Sequence, residues 1–199
     1  FLHRMLTNDC EGLQPGAANR HFLLTAKGRI IADLILLHEA EATWVDLDLP
    51  NVGPFIEEMD KLLFGEDVAF EDISRAHHRV SLHGKSARQA LDDRSGATFE
   101  ELEPNTHRRL TIAGVEALCY RRDHCGTAGY HLWIPTDRAL RLWAAFTPTD
   151  AEGQPVEGAV KPLGWLAYNI ARIEAGTPLF HVDFGPDCLP GETGLADDA

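Results

Sequence analysis

The 199-residue chain is short of cysteine, of positive charge and of long apolar runs. No apolar run approaches the roughly 18 residues needed to cross a bilayer. The longest, 30–37, is broken by Asp33. The four cysteines, Cys10, Cys119, Cys125 and Cys188, form no CxxC pair. That spacing excludes a disulfide-dense secreted scaffold and fits a reduced, cytoplasmic setting. Eighteen Lys and Arg stand against 31 Asp and Glu, a net charge of −13. A surface of that sign disfavours generic nucleic-acid binding and attachment to an anionic membrane, yet it leaves room for a local basic pocket. His3, Arg4 and Asp9 near the start are foreign to a secretory signal. The chain opens on Phe1 and closes on an acidic stretch ending at Ala199, so the expectation is a piece of a longer protein.

What is present reads as an α+β protein, with small mixed or antiparallel sheets and packed helices. Residues 2–8 are amphipathic, and 21–25 and 29–37 suit antiparallel strands joined at Lys27–Gly28. Residues 43–49 alternate as a third strand. Pro54 fits a helical first turn, with Phe55, Ile56, Met59, Leu62 and Leu63 at helical spacing and Gly65 as its end. Residues 68–73 and 79–82 read as strands, and a boundary near 78 divides the chain into units 1–78 and 79–199. In the second unit a helix over 86–91 precedes an acidic loop over 92–105. Strands over 108–112, 115–121 and 130–134 follow, and Thr136 could cap a helix over 137–146. A last helix begins near Pro162, with Leu163, Leu166, Ile170 and Ile173 expected in the core. Gly176 and Pro178 stop it.

Asp33 is the first candidate for chemistry, because a charge in an apolar strand is costly to bury without partners. It suits binding or protonating a nitrogen heterocycle; the alternatives are a solvent-facing residue on a half-exposed strand and a carboxylate paired with a nearby arginine. Cys119, His124, Cys125 and His131 crowd one hairpin, but a C-x5-C spacing matches no usual zinc pattern, and no metal is expected. Gly84-Lys85-Ser86 lacks the earlier glycine of a phosphate loop, since Arg79 stands there. No G-x-S-x-G elbow is present, and the ten histidines suggest no triad. Tyr168 and Arg172, four apart on one helix face with Trp165 beside them, could hold an anionic or planar ligand. Arg172 could instead pair with an acid on the next strand.

These segments together resemble a known family. Phe1-Leu-His-Arg-Met-Leu-Thr-Asn-Asp9, Pro15-Gly16 and Leu24-Thr-Ala-Lys-Gly-Arg-Ile-Ile-Ala-Asp33-Leu34 resemble the opening of the aminomethyltransferase folate-binding region. Leu82-His-Gly-Lys-Ser-Ala-Arg-Gln-Ala-Leu91 is similar to a later block. Arg122-Asp123 with Gly126, Gly129 and Leu132 resembles the YgfZ-like form of the next hairpin. Ala171-Arg-Ile-Glu-Ala-Gly-Thr-Pro178, with Asp183 and Leu189-Pro-Gly-Glu192, resembles the most specific block.

The resemblance implies α+β units around a folate pocket, and a C-terminal β-barrel that this chain does not reach. It implies tetrahydrofolate as cofactor. In the glycine-cleavage T-protein the acid matching Asp33 sits by the reactive folate nitrogen, a catalytic position. Arg122, His131, Tyr168 and Arg172 are the further folate-binding candidates. Two positions depart from the T-protein: His131 replaces an acid that grips the pterin, and Tyr168 replaces an arginine. Those changes point to the YgfZ-like branch, an accessory role in iron–sulfur enzyme maintenance or tRNA modification. Its Lys-Gly-Cys-Tyr-x-Gly-Gln-Glu motif would lie beyond residue 199. The alternatives are an aminomethyltransferase moving a one-carbon unit to tetrahydrofolate, and a degenerate interaction module. An iron–sulfur enzyme or a lipoylated carrier would be the protein partner.

Overall fold

A computed structural model of the chain describes residues 1–96 and 98–199. It has two antiparallel sheets and falls into two compact units, one made of 1–72 with 178–199 and the other of 73–177. Among the described residues no helix is long and apolar enough to cross a membrane.

In the first unit α1 (Leu2–Met5) is a single turn, shorter than the amphipathic pattern suggests, because Leu6 leaves it to bridge to Leu23. β1 (Ala18–Leu24) and β2 (Ile30–His38) form the expected antiparallel pair, and Gly28 turns between them at a φ of 76°. β3 (Thr43–Leu47) pairs with the other edge of β2. Alternation along β2 decides the packing. Ala32, Leu34 and Leu36 bury against Phe55 and Met59 of α2 (Leu49–Asp60). On the opposite face Phe22 packs with Phe180, Phe184 and Leu195 from the closing segment. A strand covered on both faces needs apolar residues at consecutive positions, which is why 30–37 reads as one run.

Two expectations for this unit change. The helix starts at Leu49, so Pro50 occupies its first turn and Pro54 lies inside it. An internal proline removes one intrahelical hydrogen bond, and burial of Phe55 and Met59 holds the helix in place regardless. Residues 68–73, expected as a strand, are irregular, although Phe70 still reaches the rings of Phe1 and Phe55.

The second unit contains β4 (His77–His83), α3 (Ala87–Ser95), β5 (His107–Ile112), β6 (Val115–Arg121) and β7 (Gly129–Pro135). A 3-10 turn (Thr136–Arg138) then leads into α4 (Ala139–Phe146), and α5 (Trp165–Glu174) follows. The sheet order is β4-β7-β6-β5. Leu82, Tyr130, Leu132, Ile134, Ala117 and Cys119 face Leu91 of α3 and Leu142 and Phe146 of α4, making the core. Thr136 does not cap the helix: its hydroxyl donates to the Arg75 carbonyl at 3.0 Å.

The expected core face of α5 is turned outward. Leu163, Leu166, Ile170 and Ile173 are 51%, 73%, 50% and 55% exposed, whereas Arg172 is buried and Tyr168 half-buried. Helical spacing identifies an apolar stripe without saying which way it turns. Here the inward side carries the Arg172 guanidinium, satisfied by Asn169 Oδ1 at 2.8 Å and the Thr177 carbonyl at 3.2 Å.

Candidate functional site

The second sheet has a polar face opposite its core, and strand register builds it. Because neighbours on a strand alternate, the residues beside Leu132 and Cys119 point away from the core. His131 stands across from Tyr120 on β6 and Ser81 on β4, Arg79 across from Trp133, and His83 across from Gly129. A Cβ at Gly129 would lie 2.4 Å from the Arg122 carbonyl oxygen and 3.0 Å from His83 Nδ1. Only glycine leaves room there for the imidazole. The loop between β6 and β7 returns through Gly126 at a φ of 68° and is tied by the Gly129 N–H to Asp123 Oδ1 at 3.0 Å. It places the His124 ring 5.1 Å from that of His131, with Nδ1 3.0 Å from the Tyr168 hydroxyl. The His83 ring lies 5.5 Å from both His131 and Tyr168.

Burial, and then the positive charges of Arg79 and Arg122, hold His131 and His124 well below the ordinary histidine range. Burial lowers His83 as well, helped by Arg79 and opposed by Asp123. All three imidazoles are therefore neutral at pH 7. His131 Nε2, His124 Nε2 and both nitrogens of His83 are buried without a hydrogen-bond partner among the described residues. Burial also pushes the Tyr168 phenol up, so it stays protonated.

Of the residues expected at a folate site, Arg122, His131 and Tyr168 thus belong to one cluster in the second unit. The Arg122 N–H donates to the Gly129 carbonyl at 2.8 Å, and its own carbonyl faces the His131 ring. Arg172 lies in the same unit, one helical turn from Tyr168, held to its own helix end. Its guanidinium is buried, so it is not an exposed anion fork.

Asp33 belongs to the first unit. Arg20 on β1 shares its sheet face one diagonal step away, and the two form a bidentate pair: Nε to Oδ1 at 2.7 Å, and Nη2 to Oδ2. Their side chains are 7% and 13% exposed, and the guanidinium lies 5.9 Å from the Phe22 ring. Asp33 is thus neither solvent-facing nor lone; it is oriented by arginine.

The imagined zinc set is divided by the sheet, since Cys119 lies in the core and His131 on the opposite face. Among the described residues no group of three or more His, Cys, Asp or Glu is arranged to hold a metal ion. Sequence reading missed Arg20 and His83. The signal for both was two-residue alternation: each falls in phase with a site residue on a neighbouring strand. A further Cys–His pair appears in the first unit, with Cys10 Sγ 4.0 Å from His21 Nε2. It is not a nucleophile and base. His21 Nδ1 accepts from the Asn8 N–H, so Nε2 carries the proton and donates to Asn19 Oδ1 at 2.7 Å. Burial pushes the thiol up to about 11.

Comparison with known proteins gives these sites a context. An aminomethyltransferase of Geobacillus sp. (strain WCH70) is 28% identical over 98% of this chain and 52% of its own length. The mitochondrial aminomethyltransferase of Dictyostelium discoideum is 25% identical over 98% of this chain and 50% of its own. The chain therefore spans about half the length of these relatives. The crystal structure of the glycine cleavage system aminomethyltransferase T from Bartonella henselae superposes with a TM-score of 0.75 at 24% identity, covering 94% of this chain and 48% of that one. That likeness establishes the shared fold. The family described as the GCVT N-terminal domain matches residues 1–197, and the chain belongs to that family.

Proposed function

We propose that the chain is the tetrahydrofolate-binding part of an aminomethyltransferase like the glycine-cleavage T-protein, which moves a one-carbon unit to tetrahydrofolate. The observation that carries this reading is the alignment of proteins named aminomethyltransferase along 98% of the chain. The YgfZ-like accessory role rested on His131, Tyr168 and the Arg122-Asp123 hairpin, and nothing in these relatives' names supports it, so the transferase reading replaces it. Asp33 would orient and polarise the folate amine as a fixed hydrogen-bond acceptor, with Arg20 as its positioning residue. Arg122, His131, Tyr168 and Arg172 remain the proposed folate-binding residues, and a lipoylated carrier the proposed protein partner.

The test is ammonia release from an aminomethyl-loaded lipoylated carrier with tetrahydrofolate, alongside calorimetry of folate binding. Asp33→Asn is expected to lower turnover by about 100-fold or more, the range of a lost acid–base group, while folate affinity stays largely intact. Full turnover in that variant would remove Asp33 from the chemistry. Folate binding without any ammonia release by the parent protein would return the accessory reading to first place.

A further inference from the structure

Asp33 lies directly across from Phe22 in the register of β1 and β2. The arginine that grips it, Arg20, falls on the same sheet face two residues before Phe22. Over Phe22 that face is covered by the closing segment, 178–199, which belongs to the same compact unit.

The Phe22 ring is fully buried and has contacts on two sides. The Arg20 guanidinium carbon stands 5.9 Å from its centroid, within the roughly 6 Å reach of a cation–π contact. Phe184 of the closing segment meets the same ring at 6.2 Å and 84°, an edge-to-face pair, and Phe180 meets Phe184 at 5.4 Å. In a close-packed interior a ring held in this way has little freedom to tilt. The surface on which the guanidinium rests is therefore set by Phe184.

The closing segment is itself fastened. His181 turns the chain at a φ of 62°, a left-handed conformation that is costly for a residue with a Cβ. Such a conformation persists where its surroundings over-determine it. The His181 N–H donates to the Phe184 carbonyl at 2.8 Å, and its Nε2 lies 3.2 Å from Asn51 Oδ1 in the first turn of α2. Further along, the Ile30 N–H donates to the Cys188 carbonyl at 3.2 Å, and the Arg29 guanidinium donates to the Asp187 carbonyl. What these contacts fix is the placement of Phe184 on Phe22.

We propose that Phe184 is a positioning residue for Asp33: it holds Phe22, Phe22 seats the Arg20 guanidinium, and Arg20 orients the carboxylate. The closing segment is then part of the Asp33 site as well as a cover for the sheet. The use of that site in one-carbon transfer rests on the reading above; the linkage from ring to carboxylate does not. Plain packing makes a different prediction. If Phe184 only filled space, loss of its ring would loosen the whole sheet evenly and would act independently of Arg20.

The first test is hydrogen exchange at the Arg20 Nε–H, which donates to Asp33 Oδ1 at 2.7 Å, followed by NMR in the whole chain. In Phe184→Leu that exchange is expected to quicken by roughly two- to tenfold relative to the amides of β1 and β2, the range that one aromatic pair represents. Phe184→Tyr, which keeps the ring, should stay near the parent. Leu195→Ala thins the same cluster without removing a ring, and should leave the ratio unchanged. The second test is one-carbon transfer by the full-length protein. In Phe184→Leu kcat should fall by a similar factor with KM for tetrahydrofolate unchanged, and the same substitution should cost nothing further in an Arg20→Met background. Should Phe184→Leu fail to fold, Phe184→Met gives the same measurements. Exchange that does not respond, that quickens evenly across the sheet, or that is matched by Leu195→Ala overturns the proposal. A further fall in kcat on the Arg20→Met background does so too. If the exchange result holds while the parent shows no transfer, the linkage stands and the transferase reading falls. If transfer occurs and the exchange does not respond, the linkage falls and the transferase reading stands.

Discussion

Replacing Arg20 with methionine would leave the Asp33 carboxylate, 13% exposed, without the guanidinium that engages both its oxygens. Removing one member of a buried ion pair costs about 3–5 kcal/mol, chiefly because the remaining charge is uncompensated. Domains hold roughly 5–15 kcal/mol in all, so the loss is a large share. At about 2–4 °C per kcal/mol for chains near this length, the melting temperature should fall by roughly 6–20 °C. The double variant Arg20→Met/Asp33→Leu should recover most of that loss. Its new side chains lie on the sheet face that carries Phe22 and Ile35, where apolar groups pack well. The assay is urea unfolding followed by circular dichroism for the parent, both single variants and the double. A cost below about 1 kcal/mol for Arg20→Met, the level of exposed pairs, would refute the buried-pair argument. So would a double variant as damaged as the singles. The stable double variant also separates stability from function: it should melt near the parent yet fail in one-carbon transfer.

Three more outcomes follow from burial. Burial holds His21 at about 4 even though Asp9 pulls the other way, below its unfolded value near 6.5. Between those values the unfolded chain binds the extra proton. The His21 contribution is therefore complete above about pH 6.5 and is lost as pH falls toward 4, up to about 3 kcal/mol in total; urea midpoints measured across that window should drop, with a shallower slope in His21→Gln. The Cys119 thiol, pushed up to about 12 by burial, should resist iodoacetamide in the native protein and label only on unfolding; native labelling at a surface rate would show that the sheet core is open. Ile170→Ser should cost less than about 0.5 kcal/mol, the usual surface value, because Ile170 is 50% exposed; a core-sized loss in urea unfolding would mean that the stripe is covered.

Much of the sheet structure was legible, because two-residue alternation and glycine turns are local signals. The strand expected over 115–121 matches β6, and those at 108–112 and 130–134 differ from β5 and β7 by a single residue at each end that moved. What the pattern could not fix was orientation. Leu166, Ile170 and Ile173 form a stripe whichever way α5 turns, and the deciding residue was Arg172, whose acceptors Asn169 and Thr177 lie close in sequence but need the folded helix end. Pro54 suggested the helix start, yet the helix begins at Leu49 with Pro50 in its first turn, and it buries Asn51 and Phe55. At the candidate sites, the sequence showed Asp33 as a charge in an apolar strand. It could not show Arg20 as the partner, because that pairing is a property of register between two strands.

The two sites differ in a way that constrains any mechanism. Histidines are the usual proton carriers near neutral pH, but here burial makes His83, His124 and His131 poor bases. A proton taken up by His124 or His131 would be placed beside Arg79 and Arg122, with an energy penalty on both counts. The cluster is suited to recognition by hydrogen bonding rather than to proton transfer. Asp33 is likewise held by two hydrogen bonds from one guanidinium, which fixes its geometry and lowers its freedom to swing toward a proton donor. On the proposed transfer reading Asp33 would act as a fixed acceptor rather than as a proton carrier. Release of Asp33 from Arg20 should harm the rate even when the carboxylate itself is kept, which is the reason to measure turnover in Arg20→Met as well as in Asp33→Asn.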